Sequence, residues 1–212
     1  MRVSTVILSI IALCSAAMTI WADDKQRWTL VTICKPLAMI AMILIAAGAA
    51  PPAVPFYKYG IMAGLACSLV GDIFMMLRPK RFTEGLASFL VAHLFYIAAF
   101  LSVLKFQFTL WPLFPLILYV FIMMRILYPR LGKMKIPVII YVLVIMTMAR
   151  LAVERYLQVQ EAKTLLVLIG ALLFVISDSL LATNRFARPF RHAQFFILST
   201  YFAAQWLIAM SI

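Results

Sequence analysis

Eight long apolar runs, separated by short polar or proline-marked connections, make up most of this chain. They fall at 3–22, 30–49, 57–77, 86–104, 110–128, 136–153, 163–182 and 190–211. Each is close to the roughly 17–25 residues that carry a helix across the hydrocarbon of a bilayer. None alternates strictly between apolar and polar, the pattern of a membrane barrel strand. An unclosed strand in lipid also leaves its backbone polar groups unsatisfied. The pattern predicts an all-α membrane protein, a bundle of eight transmembrane helices. Pro51, Pro52 and Pro55 mark the second connection, and Pro129 and Pro137 bracket the fifth. The connections are too short to hold a further domain, so residues 1–212 are expected to form a single polytopic membrane domain.

Composition sharpens this picture. The chain is 66% hydrophobic, against about 45–50% for a typical soluble domain. Chemistry must therefore come from groups within the helices or their short loops. The net charge of +12 excludes little by itself, but its distribution is informative. Connections after odd-numbered runs carry Lys25 and Arg27; Arg78, Lys80 and Arg81; Arg130, Lys133 and Lys135; and Arg185, Arg188 and Arg191. Connections after even-numbered runs carry only Lys58, then Lys105, then Arg155 with Lys163. That alternation fits the positive-inside rule and anionic lipid headgroups, not nucleic acid. It places the basic loops in the cytoplasm and both termini outside, with Arg2 opposing, as in a multi-pass protein of a bacterial inner membrane. The first run is longer than the roughly 7–15 residues of a signal-peptide core and has no A-x-A site before Asp23, so it is read as the first membrane helix. Cys14, Cys34 and Cys67 lie in apolar runs without metal-type spacing, and the chain has only two histidines. No metal and no cofactor is expected.

Against this background the buried charges stand out. Asp72 and Asp178 lie inside apolar runs, in a chain with only seven acidic residues. An ionisable group at the bilayer centre costs about 2.5 kcal/mol or more on insertion scales, and such groups default to functional sites. Asp72 is six residues before Arg78 and Asp178 seven before Arg185, or about 9–10 Å of helix rise. His93 and Lys35 fall at similar depth from the same basic side. Four ionisable side chains from helices two, three, four and seven thus share one layer, and all are expected to turn inward. Polar neighbours accompany them at helical spacing: Ser68 with Asp72, Tyr96 with His93, Ser177 and Ser179 beside Asp178, and Gln205 with Tyr201. The bland readings stay open here: Lys35 snorkelling to the headgroups, His93 as a satisfied core histidine, and an aspartate–lysine pair as structural glue. Arg150 and Glu154 read as a boundary ion pair. LVGDIFMMLRPKRF and FVISDSLLATNRF, each followed by a returning helix with polar residues, form an internal echo that a duplication of four-helix halves would produce.

The ordered motifs Lys35-Pro36-Leu37, Gly71-Asp72-Ile73-Phe74, Ala92-His93-Leu94-Phe95-Tyr96, Ser177-Asp178-Ser179, Asn184-Arg185-Phe186 and Thr200-Tyr201 with Ala204-Gln205 carry a resemblance. The chain resembles the YhhN / TMEM86 family of integral-membrane lysoplasmalogenases over residues 35–205. The resemblance implies an eight-helix hydrolase that cleaves the vinyl ether bond of a lysophospholipid to a fatty aldehyde and a glycerophospho-ethanolamine or -choline. Enol ether hydrolysis needs one carboxylic acid and one carboxylate, as glycoside hydrolysis does. Asp72 and Asp178 are the expected pair, with His93 or Tyr96 orienting water or a carboxyl. Lys35, Arg78, Arg81 and Arg185 are expected on the lipid phosphate, with Ser68, Ser177, Asn184, Tyr201 and Gln205 completing the substrate site.

Two other readings use the same residues. A proton-coupled transporter or lipid carrier fits the intramembrane carboxylates and the echo, although carriers place their site near the midplane and this layer lies near one face. An intramembrane aspartyl protease also uses two membrane aspartates, but its GxGD requires glycine where Leu69 stands.

Overall fold

The computed structural model of the chain describes residues 3–50, 52, 54–77, 81–105 and 109–212. Among the described residues, eight helices follow one another: α1 (Val3–Asp24), α2 (Trp28–Gly48), α3 (Pro55–Met76), α4 (Phe82–Leu101), α5 (Leu113–Leu127), α6 (Lys135–Val159), α7 (Ala162–Ala182) and α8 (Ala193–Met210). All eight segments are long and apolar enough to cross a membrane, α5 together with the short turn Tyr128–Arg130 that extends it. No strand occurs among the described residues. The protein is thus an all-α, multi-pass integral membrane protein. A wide belt of large apolar side chains faces outward, as lipid requires, including Ile10, Ile33, Phe56, Phe121 and Phe195.

Local chemistry sets the helix ends. Pro55 occupies the first turn of α3, where its missing N–H costs nothing. α5 starts behind Pro112, and α6 runs on to Val159, past the end at 153 that hydropathy suggests. Gln160 then stops it in the left-handed region at φ +53°. α7 passes through a widened π-helical turn, Thr183–Ala187, before the chain reverses at His192, φ +57°. Inside α2, Pro36 cannot donate to the Thr32 carbonyl, so the ladder is interrupted beside Lys35.

The helices pack chiefly as neighbours in sequence, α1 along α2, α3 along α4 and α7 along α8. Small residues permit the closest approaches. A Cβ on Gly64 would stand 2.2 Å from the Tyr96 ring, and one on Gly71 would stand 2.9 Å from the Phe89 ring. This glycine face lets α4 lie directly on α3. The central core joins Met39, Met42, Leu65, Phe100, Phe174 and Phe202, all fully or almost fully buried. α5 is different: Leu127 is its one buried residue, and most of its apolar surface faces out.

At the end remote from the basic loops, Glu154 on α6 fastens the α4–α5 connection. Its carboxylate accepts the Thr109 N–H and hydroxyl at 3.1 Å each and pairs with Arg150 at 2.7 Å. Gln158 exchanges hydrogen bonds with the Lys105 backbone at 3.0 and 3.1 Å. Glu154 and Gln158 on α6 thereby hold this loop.

Candidate active site

Asp72 lies four residues before the end of α3 and is 1% exposed. Its Oδ1 is 2.8 Å from Lys35 Nζ on α2, and its Oδ2 accepts a 2.7 Å hydrogen bond from the Tyr201 hydroxyl on α8. Lys35 does not snorkel outward. Its ammonium turns inward beside the break at Pro36 and lies 5.7 Å from the Tyr201 ring centre. A buried carboxylate persists only when paired and hydrogen-bonded, and both conditions are met here.

Asp178, on α7, is held by a different set. The Tyr141 hydroxyl on α6 donates to its Oδ2 at 2.5 Å, and His93 Nε2 on α4 stands 3.5 Å from the same oxygen. His93 Nε2 also lies 3.0 Å from the Tyr141 oxygen. Because the tyrosine proton goes to Asp178, the imidazole donates from Nε2. Its Nδ1 is buried with no hydrogen-bond partner among the described residues, which fits the neutral ring protonated at Nε2. Phe174 packs edge-on against both His93 and Tyr201, with ring centres 4.7 and 5.6 Å away, and separates the two clusters.

The pairing is crosswise. Asp72 takes Lys35 from helices α1–α4 and Tyr201 from α5–α8; Asp178 takes Tyr141 from its own four helices and His93 from the other four. Lys35 precedes Asp72 by 37 positions, and Tyr141 precedes Asp178 by the same 37.

Both carboxylates line one cavity of about 1160 Å³, measured out to its open mouth. Lys35, Tyr201, Ser177, Asn184 and Arg185 line it too, with Trp28 and Gln194. Arg185 is exposed and stacks on Phe82, 5.1 Å from the ring centre. Asn184 accepts the Phe190 N–H at 3.3 Å, and Ser177 donates to the Ile197 carbonyl at 3.0 Å, tying α7 to α8. An apolar chamber adjoins this cavity, with Phe89, Leu181 and Asp178 in both walls.

Other expected site residues lie elsewhere. Tyr96, Ser68 and Gln205 are wholly buried and do not line the cavity. Tyr96 donates to Gln205 Oε1 at 2.7 Å, forming a polar knot below Tyr201. Arg81 is exposed ahead of α4 and does not line the cavity. Arg78 lies outside the described residues. Tyr141 was not legible as a site residue: a tyrosine in an apolar run is ordinary core, and the available signal was the repeated 37-residue spacing to the aspartate.

The fold and the cavity define a polytopic membrane protein with two intramembrane carboxylates, each held by a tyrosine and a basic side chain. A family model described as the YhhN family matches residues 30–212. The chain is 31% identical over 211 residues to the uncharacterized membrane protein YhhN of Escherichia coli O157:H7, covering 96% of this chain and 98% of that one. It is 32% identical over 201 residues to the lysoplasmalogenase TMEM86B of Sus scrofa (94% and 82% covered) and of Homo sapiens (93% and 82%). No solved structure matches. The chain belongs to the YhhN family.

Proposed function

We propose that this protein is a membrane hydrolase that cleaves the vinyl ether bond of a lysoplasmalogen by acid/base chemistry of Asp72 and Asp178. The observation that carries this reading is that both carboxylates line the same cavity, each with its own hydrogen-bond donor. Relatives named lysoplasmalogenase, matched over most of the chain, support the substrate class.

Positions suggest the division of labour. Asp178 stands where the polar cavity meets the apolar chamber. The vinyl carbon that takes the proton is the one bonded to the alkyl chain, so the acid belongs on the apolar side. Protonated Asp178 gives its proton to that carbon, the double-bond electrons form the new C–H bond, and an oxocarbenium ion remains at the carbon bearing oxygen. Water entering through the polar cavity adds to that carbon, and Asp72 takes the proton that the water releases. The hemiacetal then loses the glycerol oxygen as an alcohol, a proton returns to that oxygen, and the aldehyde is left. The Tyr141 hydroxyl and His93 fix the orientation of Asp178, and Lys35 with Tyr201 fixes Asp72. Arg185 and Asn184, at the same cavity, meet the phosphate, because Lys35 is committed to Asp72. The basic loops face the cytoplasm of a bacterial inner membrane in this reading, by the positive-inside rule.

The direct test is aldehyde release by purified protein in detergent, from a lysoplasmalogen and from the matching saturated 1-O-alkyl lysophospholipid. Release from the first alone is expected. No aldehyde from well-folded protein would favour the carrier instead, and transport of the intact lipid in proteoliposomes would then be measured.

Tyr141→Phe removes one hydrogen bond while keeping the ring. As its proton leaves, Asp178 becomes a carboxylate; a hydrogen bond to a charged group is worth about 1.5–3 kcal/mol, so kcat is expected to fall roughly ten- to hundredfold. KM should change little, since Tyr141 holds the acid and not the headgroup. An unchanged kcat would remove Tyr141 from the site.

A further inference from the structure

The polar cavity is the first of three adjoining spaces. The apolar chamber follows it, sharing Met75, Phe82, Phe89, Leu181 and Asp178. Among the described residues, Asp178 is the only charged side chain in the chamber wall. Beyond it, an open groove runs between α5 and α6, lined by Leu113, Ile117, Leu143 and Leu151. Chamber and groove share Val120 on α5 and Met146 on α6 in their walls, which places both residues where the two spaces meet. The three spaces thus form one track. It begins among charged groups at the basic end, passes a carboxylic acid, and then runs over mostly apolar side chains to the opposite end, where Thr147 and Arg150 also line the groove.

The packing of α5 fits this track. A helix within a bundle normally buries one face against its neighbours, but α5 leaves most of its length away from α6. Its side-chain tie to the rest of the bundle beside the acid is the Tyr119 hydroxyl, which donates to Ser179 at 2.7 Å. That bond pins the middle of α5 next to Asp178 and leaves the segment from Leu113 to Ile117 apart from α6. Lipid tails would fill such a slot nonspecifically if it stood alone. Its continuity with the acid-bearing chamber commits it to one occupant.

We propose that the chamber and the α5–α6 groove form the subsite for a single long alkyl chain, loaded sideways from the bilayer, and that Val120 and Met146 at the neck set the chain length accepted. The proposal rests on the hydrolase reading for the identity of the amphiphile, but not for the binding event. A substrate lying in this track has its headgroup at Arg185, its reacting carbons at Asp178 and its tail past Met146.

The test uses the full-length protein in detergent and saturated 1-O-alkyl lysophosphocholines, which have no vinyl ether to cleave. Binding of decyl and hexadecyl probes is measured by native mass spectrometry. The parent is expected to favour hexadecyl by about tenfold or more, because each further buried methylene adds transfer free energy. Met146→Trp should abolish that preference while decyl binding persists. Val120→Trp blocks the neck from the other wall and should do the same, which covers the case of one variant failing to fold. Leu118→Trp, on the outward face of α5, should behave as the parent. The proposal is overturned if the parent shows no chain preference, if a neck variant keeps it, if both probes are lost together, or if Leu118→Trp matches the neck variants. Chain selectivity without aldehyde release from a lysoplasmalogen would remove the hydrolase and keep the alkyl site.

Discussion

Asp178→Asn is expected to lower aldehyde release by about 10³-fold, within the range that a general acid or base contributes, without unfolding the protein. Asparagine has the shape of aspartate, and its carbonyl can still accept the Tyr141 hydroxyl that now bonds Oδ2 at 2.5 Å. What it lacks is an acidic proton, and protonation at carbon is the step that makes the oxocarbenium ion. Asp178 is also partly accessible, with 17% of its side chain exposed, so the substitution buries little new polar surface. Asp72→Asn tests the other half of the mechanism and should also cost orders of magnitude. Activity and a thermal unfolding scan in the same detergent separate chemistry from folding. Turnover close to the parent in a folded Asp178→Asn protein would end the two-aspartate mechanism while leaving the family assignment intact.

The largest effect on stability is expected from Lys35. Removing one partner of a buried ion pair leaves the other charge uncompensated, a loss of about 3–5 kcal/mol, whereas replacing both partners by neutral groups is often close to neutral. Lys35→Met keeps most of the side-chain volume but strands Asp72, which is 1% exposed and retains only the Tyr201 hydroxyl. The single variant should therefore unfold at clearly lower temperature. The double variant Lys35→Met with Asp72→Asn should recover most of the loss, yet remain inactive. Equal stability of the parent and Lys35→Met would mean that Lys35 faces the headgroups, as a snorkelling lysine does, and that the 2.8 Å pair does not form in the bilayer.

How much of this was legible in the sequence varies by residue. The eight helices follow from hydropathy because lipid admits few alternatives: every backbone group must be satisfied within its own segment. Lys35, Asp72, His93 and Asp178 stand out because a charge in an apolar run is costly, and the structure gathers them into two pairs. Which residue pairs with which depends on helix rotation, and hydropathy says nothing about that. Ser177 flanks Asp178 in sequence, yet its hydroxyl is committed to the Ile197 carbonyl. Tyr96 and Gln205 read as lining residues from their spacing but bond each other behind the cavity wall. Tyr141 carries no mark of its own in the sequence, since its role comes from a neighbour on another helix. The detachment of α5 is equally hidden, because its sequence is as apolar as that of a well-packed span.

The crosswise pairing bears on how the chain is made. Helices leave the ribosome in order, so Lys35 and Asp72 enter the bilayer within one helical hairpin of each other and can neutralise each other at once. Neither must wait in lipid as a lone charge. Asp178 likewise meets Tyr141 from the helix just before it and His93 from a helix already in place. Tyr201 comes last of these, on α8. Lys35 therefore precedes its partner by a single span, and the cavity gains its full set of donors only once α8 has followed α7.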